Sequence, residues 1–362
     1  MMKNKLEYIG SVLHQEQVSL VTIAETTGTP SFVYSKAKLL EQYQALKDAL
    51  EGLNFKINYS VKANSNLSIL SLLKEEGSGF DIVSAGELGR IIAIGGDPAS
   101  VVFSGVGKST EEIDLALKNN IGCINVESSS ELDRVIWRAK ILGRKARVSI
   151  RVNPDVDADT HPYISTGLKE SKFGVPISQS LSLFEAANQS EHVSLEGIDC
   201  HIGSQISSVT PLAQAIKSIC KTIDELSKKN ITINHVNVGG GLGIRYKDEA
   251  ALSFREYGQM LKDLLGSRNL QIFTEPGRSI VAESGLLLCR VEFLKRALTT
   301  GAPNFAIVDA GMNDLIRPSL YGAWHQVMPV EENTNRDLEI WDIVGPISVS
   351  YTHLTLPTIC SV

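Results

Sequence analysis

The chain has 362 residues and a formal net charge of −6, with 43% hydrophobic and 21% charged residues. That balance is the one expected of a water-soluble globular protein, and the length suits a barrel plus a smaller partner domain. Mild acidity without a long Lys/Arg block excludes a general nucleic-acid binder, and no apolar run reaches the roughly 18 residues that mark a membrane span.

Its five cysteines (Cys123, Cys200, Cys220, Cys289 and Cys360) form no C-x-x-C pair. Neither a zinc site nor a disulfide framework is therefore expected, and an odd, unpatterned count fits a reducing compartment. The start, Met1–Glu7, carries positive charge with no apolar stretch behind it. It reads as cytoplasmic, without a secretion signal.

In chain order, β-branched runs at Phe55–Ser60, Phe80–Ser84, Val101–Gly105, Cys123–Glu127, Arg147–Asn153, Leu195–Ile202, His235–Gly239 and Gln271–Glu275 read as strands. Helical patterns lie between them, as at Asn66–Glu76, Ala85–Ile94, Thr110–Asn119 and Ser129–Leu142. Ser84 before Glu87, Ser109 or Thr110 before Glu112, and Ser128-Ser129-Ser130 before Glu131 read as helix-start caps. Strands alternating with helices predict an α/β fold with a parallel sheet. Eight such units suit a closed (β/α)8 TIM barrel. An open dinucleotide-binding sheet needs glycines after its first strand, whereas Val61-Lys62-Ala63-Asn64 has none. The barrel is predicted over 35–285. The segments 1–34 and 286–362 lack the alternation and read as one small β domain built from both termini, with strands at Leu286–Val291, Phe305–Val308 and Ile340–Val344.

Barrel enzymes carry their chemistry at the C-terminal ends of the strands. Strand one runs into Lys62, whose amine becomes a nucleophile toward carbonyls if desolvated; taken alone it reads first as a surface lysine on a βα loop. Asp81 sits in an otherwise apolar strand two and needs a partner, a nearby lysine or local backbone donors. After strand six come His201, able to stack on an aromatic ring, and Ser204, able to donate to a phosphate. Strand seven leads into Gly239, Gly240 and Gly241, where consecutive glycines let backbone N–H groups converge on an anion. A plain tight turn needs fewer. Strand eight ends in Glu275-Pro276-Gly277-Arg278. The glutamate can face a pyridine nitrogen, Gly277 and Arg278 can complete an anion pocket, and the bland alternative is a Glu275–Arg278 ion pair. Arg317 and Tyr321 flank Pro318 and can grip a carboxylate.

This set resembles the fold-type III pyridoxal-phosphate (PLP) decarboxylases, the alanine racemase-like barrel class. The resemblance runs from Ser31 to Pro346. It is carried by Tyr59–Asn64 (YSVKAN), Phe80–Ser84 (FDIVS), His161–Gly167 (HPYISTG), Ser171–Gly174 (SKFG), Cys200–Ser204 (CHIGS), Gly239–Gly243 (GGGLG) and Glu275–Arg278 (EPGR). The His161–Gly167 stretch resembles the diaminopimelate branch rather than the ornithine or arginine branches.

The resemblance implies roles. Lys62 would hold the cofactor covalently, with Asp81 beside it, and His201 would stack on the ring. Glu275 would pair with the ring nitrogen. Ser204, Gly239 to Gly241 and the backbone at Gly277 would hold the phosphate. Arg278, Arg317 and Tyr321 would bind substrate carboxylates. It also implies release of CO2 from meso-2,6-diaminopimelate to give L-lysine, and a homodimer with active sites at the subunit interface. After Gly345-Pro346-Ile347 the family continues with a Cys-Glu-x-x-Asp block, absent here, so 348–362 reads as a non-native tail. Two alternatives stay open: a decarboxylase for another basic amino acid, and a PLP-binding homologue that lacks activity.

Overall fold

The computed structural model describes residues 6–156, 172–299, 301–332, 339–347 and 358–360. The chain divides into two compact units. One comprises Leu40–Ile244 with Ala250–Ala282; the other comprises Met1–Leu39, Arg245–Glu249 and Glu283–Val362.

The first unit is a closed parallel barrel. Its strands are β1 (Phe55–Ser60), β2 (Gly79–Ile82), β3 (Val101–Phe103), β4 (Cys123–Val126), β5 (Ala146–Asn153), β6 (Val193–Asp199), β7 (His235–Asn237) and β8 (Gln271–Thr274). Each pairs in parallel with the next, and β8 closes on β1 with Ile272 opposite Phe55. The helices that follow the strands are α1 (Leu67–Glu75), α2 (Ala85–Ala93), α3 (Thr110–Lys118), α4 (Ser129–Leu142), α5 (Ile177–Gln189), α6 (Val209–Lys228), α7 (Phe254–Leu265) and the short α8 (Arg278–Val281).

Local chemistry sets the helix starts. Ser109 and Glu112 form a reciprocal capping box at α3, which satisfies two otherwise orphaned N–H groups. The expected box at α2 is only half made. Ser84 Oγ accepts the Glu87 N–H, but the Glu87 carboxylate reaches past Ser84 to the Val83 N–H at 2.7 Å. At α4 the Glu131 carboxylate likewise takes the N–H of Glu127, one residue before the Ser128 cap. In both places the acidic side chain ties the residue just past the strand to the helix.

Helix faces carrying Leu70, Leu73, Leu88, Ile91, Ile113, Val135, Ile219 and Leu261 are buried. Each such side chain contributes about 2 kcal/mol of apolar burial. The alternate strand residues face the lumen, where polarity rises toward the C-terminal mouth. Val102, Cys123 and Phe273 cluster together, with the His235 ring stacked on Phe273 at 4.2 Å. The lumen also holds Asn58, Asn125, Ser149, Asp199 and Asn237, all buried.

The second unit is built from small sheets. Leu6–Ile9, Val12–Gln15 and Val18–Ser19 form an antiparallel meander. Ser31–Tyr34 pairs antiparallel with Gly285–Leu288. A four-stranded sheet has the order Val291–Lys295, Asn304–Val308, Glu339–Val344, Thr358–Cys360. The expected single strand Leu286–Val291 is thus two strands in two sheets. The switch falls at Arg290, whose N–H is held by the Asp309 carboxylate while its carbonyl takes the Asp309 N–H. Trp341, Ala306, Val308 and Ala310 form the buried centre of the larger sheet.

Candidate active site

The turn Val61–Ala63 follows β1 and projects Lys62 over the mouth, where Lys62 Nζ lies 2.7 Å from Asp81 Oδ2. Ser60 Oγ donates to the same oxygen at 2.6 Å. Asp81 is fully buried, whereas half of the Lys62 side chain is accessible. Burial is the strongest influence on both groups and opposes their charges. Their mutual attraction, with the Ser60 hydrogen bond on Asp81 and the Glu275 charge near Lys62, outweighs it. Asp81 is held below the usual carboxylate range and Lys62 above the usual lysine value. The pair is therefore ionic at neutral pH.

His201 lies two residues beyond β6, and its Nδ1 accepts the Gly240 N–H at 3.2 Å. Burial, then the charges of Arg151 and Lys62, push the imidazole down to about 3. A neutral ring whose Nδ1 accepts carries its proton on Nε2.

The glycine loop is pinned from both sides. Gly239 N–H donates to Asn237 Oδ1 at 3.0 Å, and the Gly239 carbonyl accepts the Glu275 N–H at 2.7 Å. The Gly241 carbonyl accepts the Ile206 N–H at 2.9 Å. A Cβ on Gly240 would lie 1.9 Å from the Glu275 carbonyl oxygen, and one on Gly241 (φ +88°) 2.0 Å from that of Gly203. Bare backbone is the only chain that fits here. Gly277 is similarly close-packed, with a Cβ there 2.9 Å from Ala63 Cβ. Ser204 Oγ accepts from Arg278 Nη2 at 3.3 Å, so the serine and arginine expected at an anion pocket are neighbours.

Glu275 is buried and accepts a very short hydrogen bond from Asn237 Nδ2. Burial, followed by the charges of Asp81 and Asp199, raises its carboxyl well above the usual range, against the pull of Lys62 and Asn237. Its partner is thus Asn237, and the Glu275–Arg278 ion pair entertained from sequence is absent from the ion pairs of the described residues.

Three further residues carry charge at the mouth. Arg151, two residues before the end of β5, lies 3.1 Å from Glu127 Oε1 and, through Nε, 3.6 Å from Asp199 Oδ2. Glu127 also accepts the Gly105 and Gly174 N–H groups. Burial pushes Asp199 up to about 7, although Arg151 pulls it down. Asp81, Glu127, Asp199 and Glu275 thus gather around Lys62 and Arg151, and burial favours the protonated forms of Asp199 and Glu275. Sequence reading missed Arg151, Asp199, Asn237 and Glu127. A signal was present for two of them: Asp199 and Asn237 are the polar last residues of their strands, each two positions before a residue already singled out, His201 and Gly239.

Arg317 and Tyr321 bound a five-residue helix in the second unit. The Arg317 guanidinium lies 4.0 Å from the Tyr246 ring centre, and its Nη1 lies 3.3 Å from His325 Nε2. The His161–Gly167 stretch lies outside the described residues.

The donor set matches a phosphorylated aromatic aldehyde: an amine for the aldehyde, a neutral flat imidazole for the ring, a carboxyl for a ring nitrogen, and glycine backbone with Ser204 and Arg278 for the dianion. A family model described as the pyridoxal-dependent decarboxylase, pyridoxal binding domain matches residues 36–282. Barrel, mouth and match together define a pyridoxal-dependent decarboxylase.

A diaminopimelate decarboxylase of Pseudomonas aeruginosa is 49% identical over 340 residues, covering 94% of this chain and 81% of the relative. The crystal structure of diaminopimelate decarboxylase from Helicobacter pylori complexed with L-lysine superposes with a TM-score of 0.88 at 43% identity, covering 92% of this chain and 83% of that one. The M. jannaschii diaminopimelate decarboxylase in co-complex with L-lysine gives 0.90 at 33% identity, covering 99% and 85%. The chain belongs to the diaminopimelate decarboxylase family.

Proposed function

We propose that this chain removes one carboxylate of meso-2,6-diaminopimelate as CO2 and returns a proton to the same carbon, giving L-lysine. The observation that carries the reading is the half-open Lys62 amine, set on buried Asp81 at the same mouth as Glu275 and the glycine loop. Identity to the curated relatives and the L-lysine in the two solved relatives support it.

Bound pyridoxal phosphate supplies the electron sink for the bond that breaks. The protein's part is to bind and orient. Lys62 Nζ is the amine that would hold the cofactor's aldehyde. Asp81 steers the amine through Oδ2. His201 packs on the ring face as a neutral imidazole. Glu275 holds a proton at the ring nitrogen, with Asn237 fixing its carboxyl. The backbone of Gly239 to Gly241 and Gly277, with Ser204, receives the phosphate. The family resemblance assigns Arg278, Arg317 and Tyr321 to the substrate carboxylates. The pyridoxal-binding barrel is the unit Leu40–Ile244 with Ala250–Ala282, a few residues inside the 35–285 read from sequence, and Arg245–Glu249 joins the two terminal segments in the second unit. The family resemblance supports a cytoplasmic homodimer, and the exposed apolar side chains of Phe293 and Leu294 in the second unit fit a covered face.

The purified protein is expected to absorb near 420 nm (roughly, for a lysine-bound cofactor), to lose that band with borohydride, and to release CO2 from meso-diaminopimelate. Colour without CO2 would reject the enzymatic reading; absence of colour would reject the cofactor assignment as well.

A further inference from the structure

We propose that His325 and Tyr246 are positioning residues that set the Arg317 guanidinium for the carboxylate the substrate keeps through the reaction. The inference rests on the reading of Arg317 as a carboxylate grip. Three contacts within the second unit carry it. The guanidinium carbon sits 4.0 Å from the Tyr246 ring centre, which is stacking distance and holds the plane of the fork. Arg317 Nη1 lies 3.3 Å from His325 Nε2. The Tyr246 and His325 rings meet edge to face, 5.7 Å apart at 83°. One contact fixes the tilt of the guanidinium, the second its rotation in the plane, and the third holds the two supports against each other.

The polarity of the second contact is determined. Arginine is always a donor, so His325 Nε2 accepts and its proton resides on Nδ1. The imidazole must be neutral for this. Burial, then the Arg317 charge, pushes it down to about 4, so it stays an acceptor at any physiological pH. The clip continues at the next residue of one segment and the preceding residue of the other, where Lys247 Nζ lies 5.9 Å from the Trp324 ring centre. Glu249 shapes the turn that presents Tyr246 and Lys247 by accepting both their N–H groups. Residues 245–249, which interrupt the barrel's run of sequence to join the second unit, thereby gain a purpose: they carry the aromatic face for the arginine.

An arginine already immobilised loses less side-chain freedom on binding, an advantage worth about tenfold in affinity. The test uses the cofactor-loaded protein and two probes, L-lysine, which bears a carboxylate, and 1,5-diaminopentane, which does not. Calorimetry gives the affinity for each, and kinetics gives kcat and KM for meso-diaminopimelate. Arg317→Leu is expected to weaken L-lysine by about 100-fold while leaving the diamine within about twofold. His325→Leu and Tyr246→Leu should each weaken L-lysine and raise KM by about tenfold, with the diamine and kcat little changed. His325→Gln, which keeps an acceptor oxygen, should recover most of the loss. Unchanged L-lysine affinity in His325→Leu and Tyr246→Leu overturns the proposal, as does equal weakening of both probes. If Arg317→Leu itself fails to separate the probes, the carboxylate-grip reading falls and the proposal falls with it; if only the His325 and Tyr246 variants fail to, that reading stands.

Discussion

Lys62 and Asp81 meet at 2.7 Å with their surroundings reversed: the carboxylate is fully buried and the lysine half open. The buried partner therefore fixes the position and the open one keeps its reach. Lys62→Ala should fold, lose the borohydride-stable adduct and lose activity by about 1,000-fold or more. Asp81→Asn should keep covalent capture but move its pH dependence downward, because the charge that raises the Lys62 pKa is gone. Capture rate against pH, followed near 420 nm (roughly), measures this; an unshifted profile would remove Asp81 from the role.

The glycine loop gives a steric prediction. Gly240→Ala puts a Cβ 1.9 Å from the Glu275 carbonyl oxygen, which backbone cannot accommodate without separating the two loops. Cofactor affinity should fall by about 100-fold, with a lower melting temperature. Gly89→Ala, whose Cβ meets nothing within 4 Å, is the control. Inside α2 it should stabilise by about 0.5–1 kcal/mol.

Asn237 joins the loop to the glutamate, accepting from the Gly239 N–H and donating to Glu275 Oε1. Asn237→Ala strands a buried N–H and a buried carboxyl oxygen, at a cost of about 2–3 kcal/mol. Fluorescence titration with pyridoxal phosphate should show weaker binding in this variant. Affinity equal to the parent's would mean that Glu275 and the loop are held by other contacts.

Asp199 gives a pH prediction whose sign follows from linkage. Its carboxyl is raised to about 7 in the folded protein, chiefly by burial, against about 3.9 in the unfolded chain. The folded state therefore holds an extra proton between those values. The stability this contributes is complete below about pH 4 and is lost as pH rises through about 7. In cofactor-free protein, Asp199→Asn should gain on the parent as pH rises from about 5 to about 8, by on the order of 1–2 kcal/mol or about 2–4 °C. Parallel melting curves across that range would contradict the assignment of Asp199.

Much of the barrel was legible in one dimension. Phe55–Ser60 and Ser129–Leu142 coincide with their observed bounds, because strong β-branched or capped patterns fix them locally. Other strands were read too long at the mouth: Val83 and Ser84, Cys200 to Ile202, and Glu275 lie beyond β2, β6 and β8. Val83, Ser84 and Glu275 leave the strand ladder to bond helices and loops, yet keep the composition of a strand. The lysine, histidine, glycines and glutamate were visible because each stands next to a turn signal. Arg151, Asp199 and Asn237 were not, since their meaning comes from partners far away in sequence, such as Glu127 for Arg151 and Glu275 for Asn237. The break between Leu288 and Val291 is set by Asp309, which no local pattern reveals.

The polar lumen has a consequence for attempts to make this protein heat-tolerant. Asn58 and Ser149 are fully enclosed and their side-chain polar atoms have no hydrogen-bond partner among the described residues, so a greasier interior would raise the melting point. Replacements that help most in the centre would also erode the field that readies the mouth. Durable improvement is therefore to be sought on helix exteriors and in the terminal sheets, where rigidity and chemistry do not compete.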